Sequence, residues 1–133
     1  MPKGFLEILE IARDNIQRNP SLAGRSTEDL GRQYLKGLMD EVEEVVAEVR
    51  ENDAVHLEDE LSDIAWDYAC ILAALENGGY IESAEAVIAH GITKYSQRAP
   101  AFLEATEEPW DAVKKSQKEQ LKKRHEDMYG TNA

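Results

Sequence analysis

Glu41 and Glu44 in Glu41-Val42-Glu43-Glu44, and Glu60 and Asp63 in Glu60-Leu61-Ser62-Asp63, are two carboxylate pairs, each with its members three residues apart. That interval is close to one helical turn, so each pair shares a face if its segment is helical. The stretch between the phrases is long enough for the chain to reverse and turn the two faces toward each other. Four carboxylates held close repel one another unless protons or cations neutralise them. Ligation by oxygen alone selects hard ions, and Mg²⁺ in particular binds through a few carboxylates, waters and phosphate oxygens. The pattern points to Mg²⁺, with Mn²⁺ as a substitute, acting on a phosphate-bearing substrate. A solvated acidic surface is the alternative for either phrase alone, because acidic helices generate such pairs by chance. Two phrases flanking apolar stripes favour the metal, since a flank beside a core is half-buried and solvent cannot fully compensate its charge.

The elements that must position these groups are helical throughout. Phe5, Ile8, Leu9, Ala12 and Ile16 recur at helical intervals, and Asn19-Pro20 closes the first helix. Ser26 or Thr27, followed by Glu28 and Asp29, caps a long second helix. Leu35, Leu38, Val42, Val45, Val46 and Val49 form its apolar stripe, with Glu41, Glu44 and Glu48 on the flank. Glu51-Asn52-Asp53 makes a turn into a third helix. There Leu57, Leu61, Ile64, Tyr68, Ile71, Leu72 and Leu75 are the stripe and Glu60, Asp63 and Asp67 the flank, until Gly78-Gly79 stops it. A fourth helix from about 81 to 98 buries Ala84, Val87, Ile88 and Ile92, and Pro100 ends it. Thr106 caps a last segment reaching about residue 128, thinly anchored by Trp110, Val113 and Leu121. No strand alternation competes. The expected fold is all-α, an antiparallel bundle of about four core helices plus a C-terminal helix. It forms one domain over 1–133, with a core of about 5–103 and an extension of about 106–128.

Composition narrows the partners. With 27 acidic and 15 basic residues the net charge is −12. Such a chain repels polyanions, which argues against nucleic acid and anionic membranes. No apolar run approaches the roughly twenty residues a bilayer span needs, and the early acidic residues Glu7 and Glu10 do not suit a secretory leader. Cys70 is the only cysteine, which suits a reducing cytoplasm and a small core residue. Trp66 lies almost opposite the apolar centre of the third helix, the place for a subunit interface or the wall of a nucleoside pocket.

These residues resemble the MazG-type nucleotide pyrophosphohydrolases, an all-α family whose hallmark is E-x-x-E, a spacer of roughly twelve to twenty-eight residues, and E-x-x-D. The spacer here runs from Val45 to Asp59. Lys94-Tyr95-Ser96-Gln97-Arg98-Ala99-Pro100 resembles the family's K-x-x-x-R-x-P element, and Trp110-Asp111-Ala112-Val113-Lys114 its later W-x-x-x-K. The likeness spans most of residues 27–115. Dimeric all-α dUTPases and phosphoribosyl-ATP pyrophosphohydrolases share the acidic hallmark, and the Lys94 to Lys114 elements favour MazG over them. A helical interaction protein with no catalysis is the rival from another class. Relatives often carry a lysine shortly before each acidic phrase, where this chain has Lys36 and His56.

The resemblance implies cleavage of a nucleoside triphosphate to a monophosphate and pyrophosphate in nucleotide-pool house-cleaning, by a homodimer or a dimer of dimers. Glu41, Glu44, Glu60 and Asp63 would hold Mg²⁺. Glu41 is the first candidate for the base that activates water, and Asp40 the second. Lys94, Arg98 and Lys114 would clamp phosphates and Trp110 would contact the base. Glu48 and Asp67 are optional outer groups, and His56, His90 and His125 have structural or surface roles.

Overall fold

A computed structural model of the chain describes residues 3–102 and 107–130. Its elements are α1 (Lys3–Arg18), a 3₁₀ turn (Pro20–Leu22), α2 (Thr27–Glu48), α3 (Ala54–Asn77), α4 (Ala84–Phe102) and α5 (Glu107–Tyr129). There is no strand among the described residues, as helical periodicity requires, and no described helix is long and apolar enough to cross a membrane. The chain divides into two compact units, Met1–Ala84 and Glu85–Ala133.

In the first unit the helix ends are set locally. Ser26 is the cap of α2, its Oγ accepting from Asp29 N–H at 3.1 Å. Asn52 takes φ 58° in the turn between α2 and α3, a left-handed conformation that asparagine tolerates better than most residues. Beyond α3, Gly79 takes φ 77°, a left-handed conformation that glycine adopts without strain.

Cross-contacts give the direction of the hairpin. Proceeding along α2 from Thr27 to Gly31, Gly37 and Glu41, the facing residues are Gly78, Leu75, Asp67 and Asp63, so α2 and α3 are antiparallel. The helices approach closely because Gly31 and Gly78 carry no side chain. A Cβ at Gly78 would come 2.5 Å from Thr27 Cγ2, and one at Gly31 2.8 Å from Leu75 Cδ2.

Helix α1 packs on the second half of α3, where Ala12, Ala69, Cys70 and Ala73 form the innermost cluster, with Ile8, Ile16, Tyr34 and Trp66 around it. Small residues let the two backbones approach, and the contact is fixed at its edge by Arg13. Its guanidinium donates twice to Glu76, at 2.7 and 2.9 Å, while Glu76 also accepts Ala84 N–H at 3.0 Å.

Three expectations about burial in this unit need correction. The first is Leu61 of the α3 stripe, which is exposed. Only Leu38 and Val45 of the α2 stripe are half-buried. Leu35, Val42, Val46 and Val49 are exposed, as is Met39. The reason is that α3 presents Glu60, Asp63 and Asp67 to α2, so the α2 surface that meets them is its acidic flank rather than its apolar centre. Trp66 is half-buried against the core cluster rather than standing out from it.

The second unit holds most of α4 and all of α5. Helix α4 starts later than expected and continues through Pro100 to Phe102. Proline lacks the N–H that would bond Ser96 O, but with only two residues beyond it the break costs little further helix. Ile92 is 64% exposed rather than core, and Leu121 is exposed as well. Thr106 lies outside the described residues.

Candidate metal centre

The hairpin brings both acidic phrases to one place. One carboxylate oxygen each from Glu41, Glu60 and Asp63 lie within 4.8 Å of one another, and all three residues are half-buried. Glu44 is more exposed and stands at the rim, where its carboxylate hydrogen-bonds the carboxyls of both Glu41 and Glu60. The fourth expected ligand therefore borders a set of three.

Electrostatics show the strain of this gathering. Glu41 is pushed up to about 7 by burial, then by its hydrogen bond to Glu44 and the charges of Glu44, Asp63 and Asp67. Glu60 is raised by burial, then by Glu44, Asp63 and Asp59. Glu41 Oε2 and Glu60 Oε2 are buried and have no hydrogen-bond partner. A buried carboxylate oxygen that no protein donor meets is costly to leave uncompensated. Two such atoms beside a third carboxylate are the donor set a hard cation fits, since its charge compensates all of them.

Asp67 belongs to this cluster more than its optional standing in the sequence suggested. It follows Asp63 by four residues on the same face, is raised by burial and by Asp63, and its Oδ2 lies 3.7 Å from where a Cβ of Gly37 would be. The i, i+4 spacing from Asp63 was the available signal. Glu48, the optional group on α2, is instead engaged at the turn. Arg50 reaches Glu48 at 3.4 Å and the buried Asp53 at 3.2 Å, and a hydrogen bond shared with Asp53 raises Glu48 and lowers Asp53. Asp40 is exposed on α2.

The basic residues expected to meet phosphate all lie in the second unit. Arg98 is 9% exposed, with Nε donating to Gln117 Oε1 at 2.6 Å. Gln117, also buried, donates through Nε2 to Gln97 Oε1 at 2.7 Å and to Lys94 O at 3.0 Å. The Arg98 guanidinium lies 5.8 Å from the Tyr95 ring and 5.9 Å from the Trp110 ring, within cation–π range. Trp110 thus packs beside a cation in its own unit. A pocket of about 170 Å³ has Lys94, Arg98 and Arg124 in its lining and, among the described residues, no carboxylate. Lys114 is on a different surface, with Asp111, Lys115, Lys118, Glu119 and Lys122. The structure thus groups Arg124, rather than Lys114, with Lys94 and Arg98. Gln117 and Arg124 have no motif to mark them, and only the packing of α5 on α4 reveals them.

Comparison with curated proteins and with solved structures found no match. The model of one family, described as the MazG nucleotide pyrophosphohydrolase domain, matches residues 31–103. That span covers more than half of the 133 residues and contains both acidic phrases, Asp67 and the Lys94 to Pro100 element. A clustered carboxylate set on an antiparallel hairpin agrees with it, and the chain belongs to the MazG nucleotide pyrophosphohydrolase family, making it a nucleotide-cleaving hydrolase.

Proposed function

We propose that the protein hydrolyses a nucleoside triphosphate between its α and β phosphates in a Mg²⁺-dependent reaction, releasing a monophosphate and pyrophosphate and clearing unwanted nucleotides from the pool. The observation that carries this reading is the pair of buried, unpartnered oxygens, Glu41 Oε2 and Glu60 Oε2, beside Asp63. Glu41, Glu60 and Asp63 would hold the cation, with Glu44 at the rim of the set. A Mg²⁺ ion held there would offset the charge on the phosphate oxygens and lower the pKa of the attacking water.

The chain's own groups then move the proton. The base is a carboxylate with an oxygen that ligation leaves open. Glu41 accepts the proton of the attacking water, and the exposed Asp40 is second to it. Lys94 and Arg98, with Arg124 from the same pocket in place of the expected Lys114, meet substrate phosphates, and Gln117 and Trp110 orient the Arg98 guanidinium.

A homo-oligomer, a dimer or a pair of dimers, is supported by the exposed residues Leu35, Met39, Val42, Val46 and Val49. Their steps of four, three, four and three along α2 form the seam that a second helix packs against in a coiled coil. The test of function is pyrophosphate release from a panel of canonical and modified nucleoside triphosphates with Mg²⁺. Glu41→Gln and Asp63→Asn are each expected to lose about 100-fold or more in kcat/KM. Full activity in both variants overturns the assignment.

A further inference from the structure

Among the described residues of the second unit, Glu85–Ala133, only Arg98 and Gln117 are buried. The centre of this unit is therefore a guanidinium and an amide, where a helix pair ordinarily buries apolar side chains. Gln117 of α5 accepts from Arg98 and donates to Gln97 and to Lys94 O, all on α4. Such bonds add little net stability because water competes for the same groups. The apolar residues of α5 add little more, since Leu121, Met128 and Tyr129 are exposed.

The charge at that centre has no counter-charge among the described residues. Arg13, Arg18, Arg32 and Arg50 each pair with a carboxylate. Arg98, Arg124 and Lys94 pair with none among the described residues, in a chain whose 27 acidic residues outnumber its 15 basic ones. A buried ion left that way is costly. Of the Arg98 guanidinium only Nε–H is bonded within the described chain, and its Nη atoms carry further donors. All three cations line the pocket of about 170 Å³, with Thr93 and Gln120 between them. They repel one another until an anion sits among them. Cationic, amide and hydroxyl donors together suit phosphate oxygens. The volume is below the roughly 300–1,000 Å³ of sites that take a whole small molecule, so the pocket fits a phosphoryl or pyrophosphoryl group rather than an entire nucleotide.

We propose that a phosphoryl anion in this pocket is a clasp between α4 and α5. It supplies the counter-charge that Arg98 and Arg124 lack, and α5 docks firmly only while the anion is held. The inference rests on the proposed function for the source of the anion, which is either the tail of a bound triphosphate or the free pyrophosphate released from it. The test is hydrogen exchange of the full chain, read by mass spectrometry, with inorganic pyrophosphate in EDTA and with sodium chloride at equal ionic strength. Pyrophosphate is expected to slow exchange in Glu107–Tyr129 by about ten-fold or more, the scale of one charge-assisted hydrogen bond. A second arm uses an α,β-methylene nucleoside triphosphate with Mg²⁺. Slowing by free pyrophosphate supports a clasp that the product can close, and slowing by the analogue alone supports one closed by the substrate's tail. Arg124 is exposed, so Arg124→Gln leaves the helices folded. That variant is expected to lose the slowing and to bind the anion about ten-fold more weakly, while Arg124→Lys keeps part of both. The proposal is overturned if neither ligand slows α5, if sodium chloride slows it equally, if all five helices slow alike, or if Arg124→Gln responds as wild type does. A chain that shows the clasp yet releases no pyrophosphate from any triphosphate sinks the hydrolytic reading and leaves the clasp standing. A chain that cleaves triphosphates with α5 exchange unmoved does the reverse.

Discussion

Lowering the pH from 8 to 6 should weaken Mg²⁺ binding about ten-fold through Glu41 alone. Its carboxyl titrates near 7 instead of 4.5, through burial first and then Glu44, Asp63 and Asp67. The cation binds the ionised form, so the proton must leave first. With a pKa of about 7, the group is about one-tenth protonated at pH 8 and about nine-tenths at pH 6. The ionised fraction, and with it the apparent affinity, falls by about a factor of ten. A carboxylate at 4.5 would change that affinity by only about 3% over the same range. Titration calorimetry in two buffers of different ionisation enthalpy counts the displaced protons directly. The expected release is about 0.9 proton per ion at pH 6 and about 0.1 at pH 8. The same shift fixes the sign of the stability effect. The folded-state pKa lies above the unfolded one, so this group's contribution is fully present below about 4.5 and lost as the pH rises through about 7. The metal-free protein should melt lower at pH 8 than at pH 5 on this account, and saturating Mg²⁺ should remove the difference. An affinity flat from pH 6 to pH 8, with no buffer-dependent heat, refutes the reasoning.

Three further perturbations probe the scaffold and the assembly. Gly78→Ala drives a Cβ to 2.5 Å from Thr27 Cγ2, and overpacking against a β-branched side chain should cost about 1–3 kcal/mol in urea unfolding. Arg13→Met breaks the two-bonded contact to Glu76, with an expected loss of about 1–2 kcal/mol because the pair is only partly buried; an unchanged urea midpoint would count against this contact as an anchor of α1. Val46→Glu places a charge at a position 69% exposed in the single chain; if the proposed oligomer packs along this seam, light scattering reports a smaller particle than wild type while circular dichroism shows the helices retained, and an unchanged particle counts against the seam.

The sequence by itself determined the helices, because an apolar period of 3.6 residues and end signals such as Ser26 and Gly79 act within a few residues of each other. It also determined that Glu41 with Glu44 and Glu60 with Asp63 share faces, since one helical turn is a local distance. The length of the α2–α3 connection made the meeting of those faces legible too. The tertiary structure alone decided which side of α2 meets α3. The acidic flank of α2, and not the centre of its apolar stripe, faces Asp63 and Asp67 of α3. Hence Val46 and Val49 are exposed while Glu41 is half-buried. Packing likewise decided that Asp67 joins the cluster and that Gln117 holds Arg98. It also made Asn15, Tyr34 and Trp66 neighbours, although they come from three helices and share no spacing. Contacts between residues far apart in the chain leave no periodic trace, because each side chain's partner is selected by the geometry of the assembled helices and not by its own neighbours in sequence.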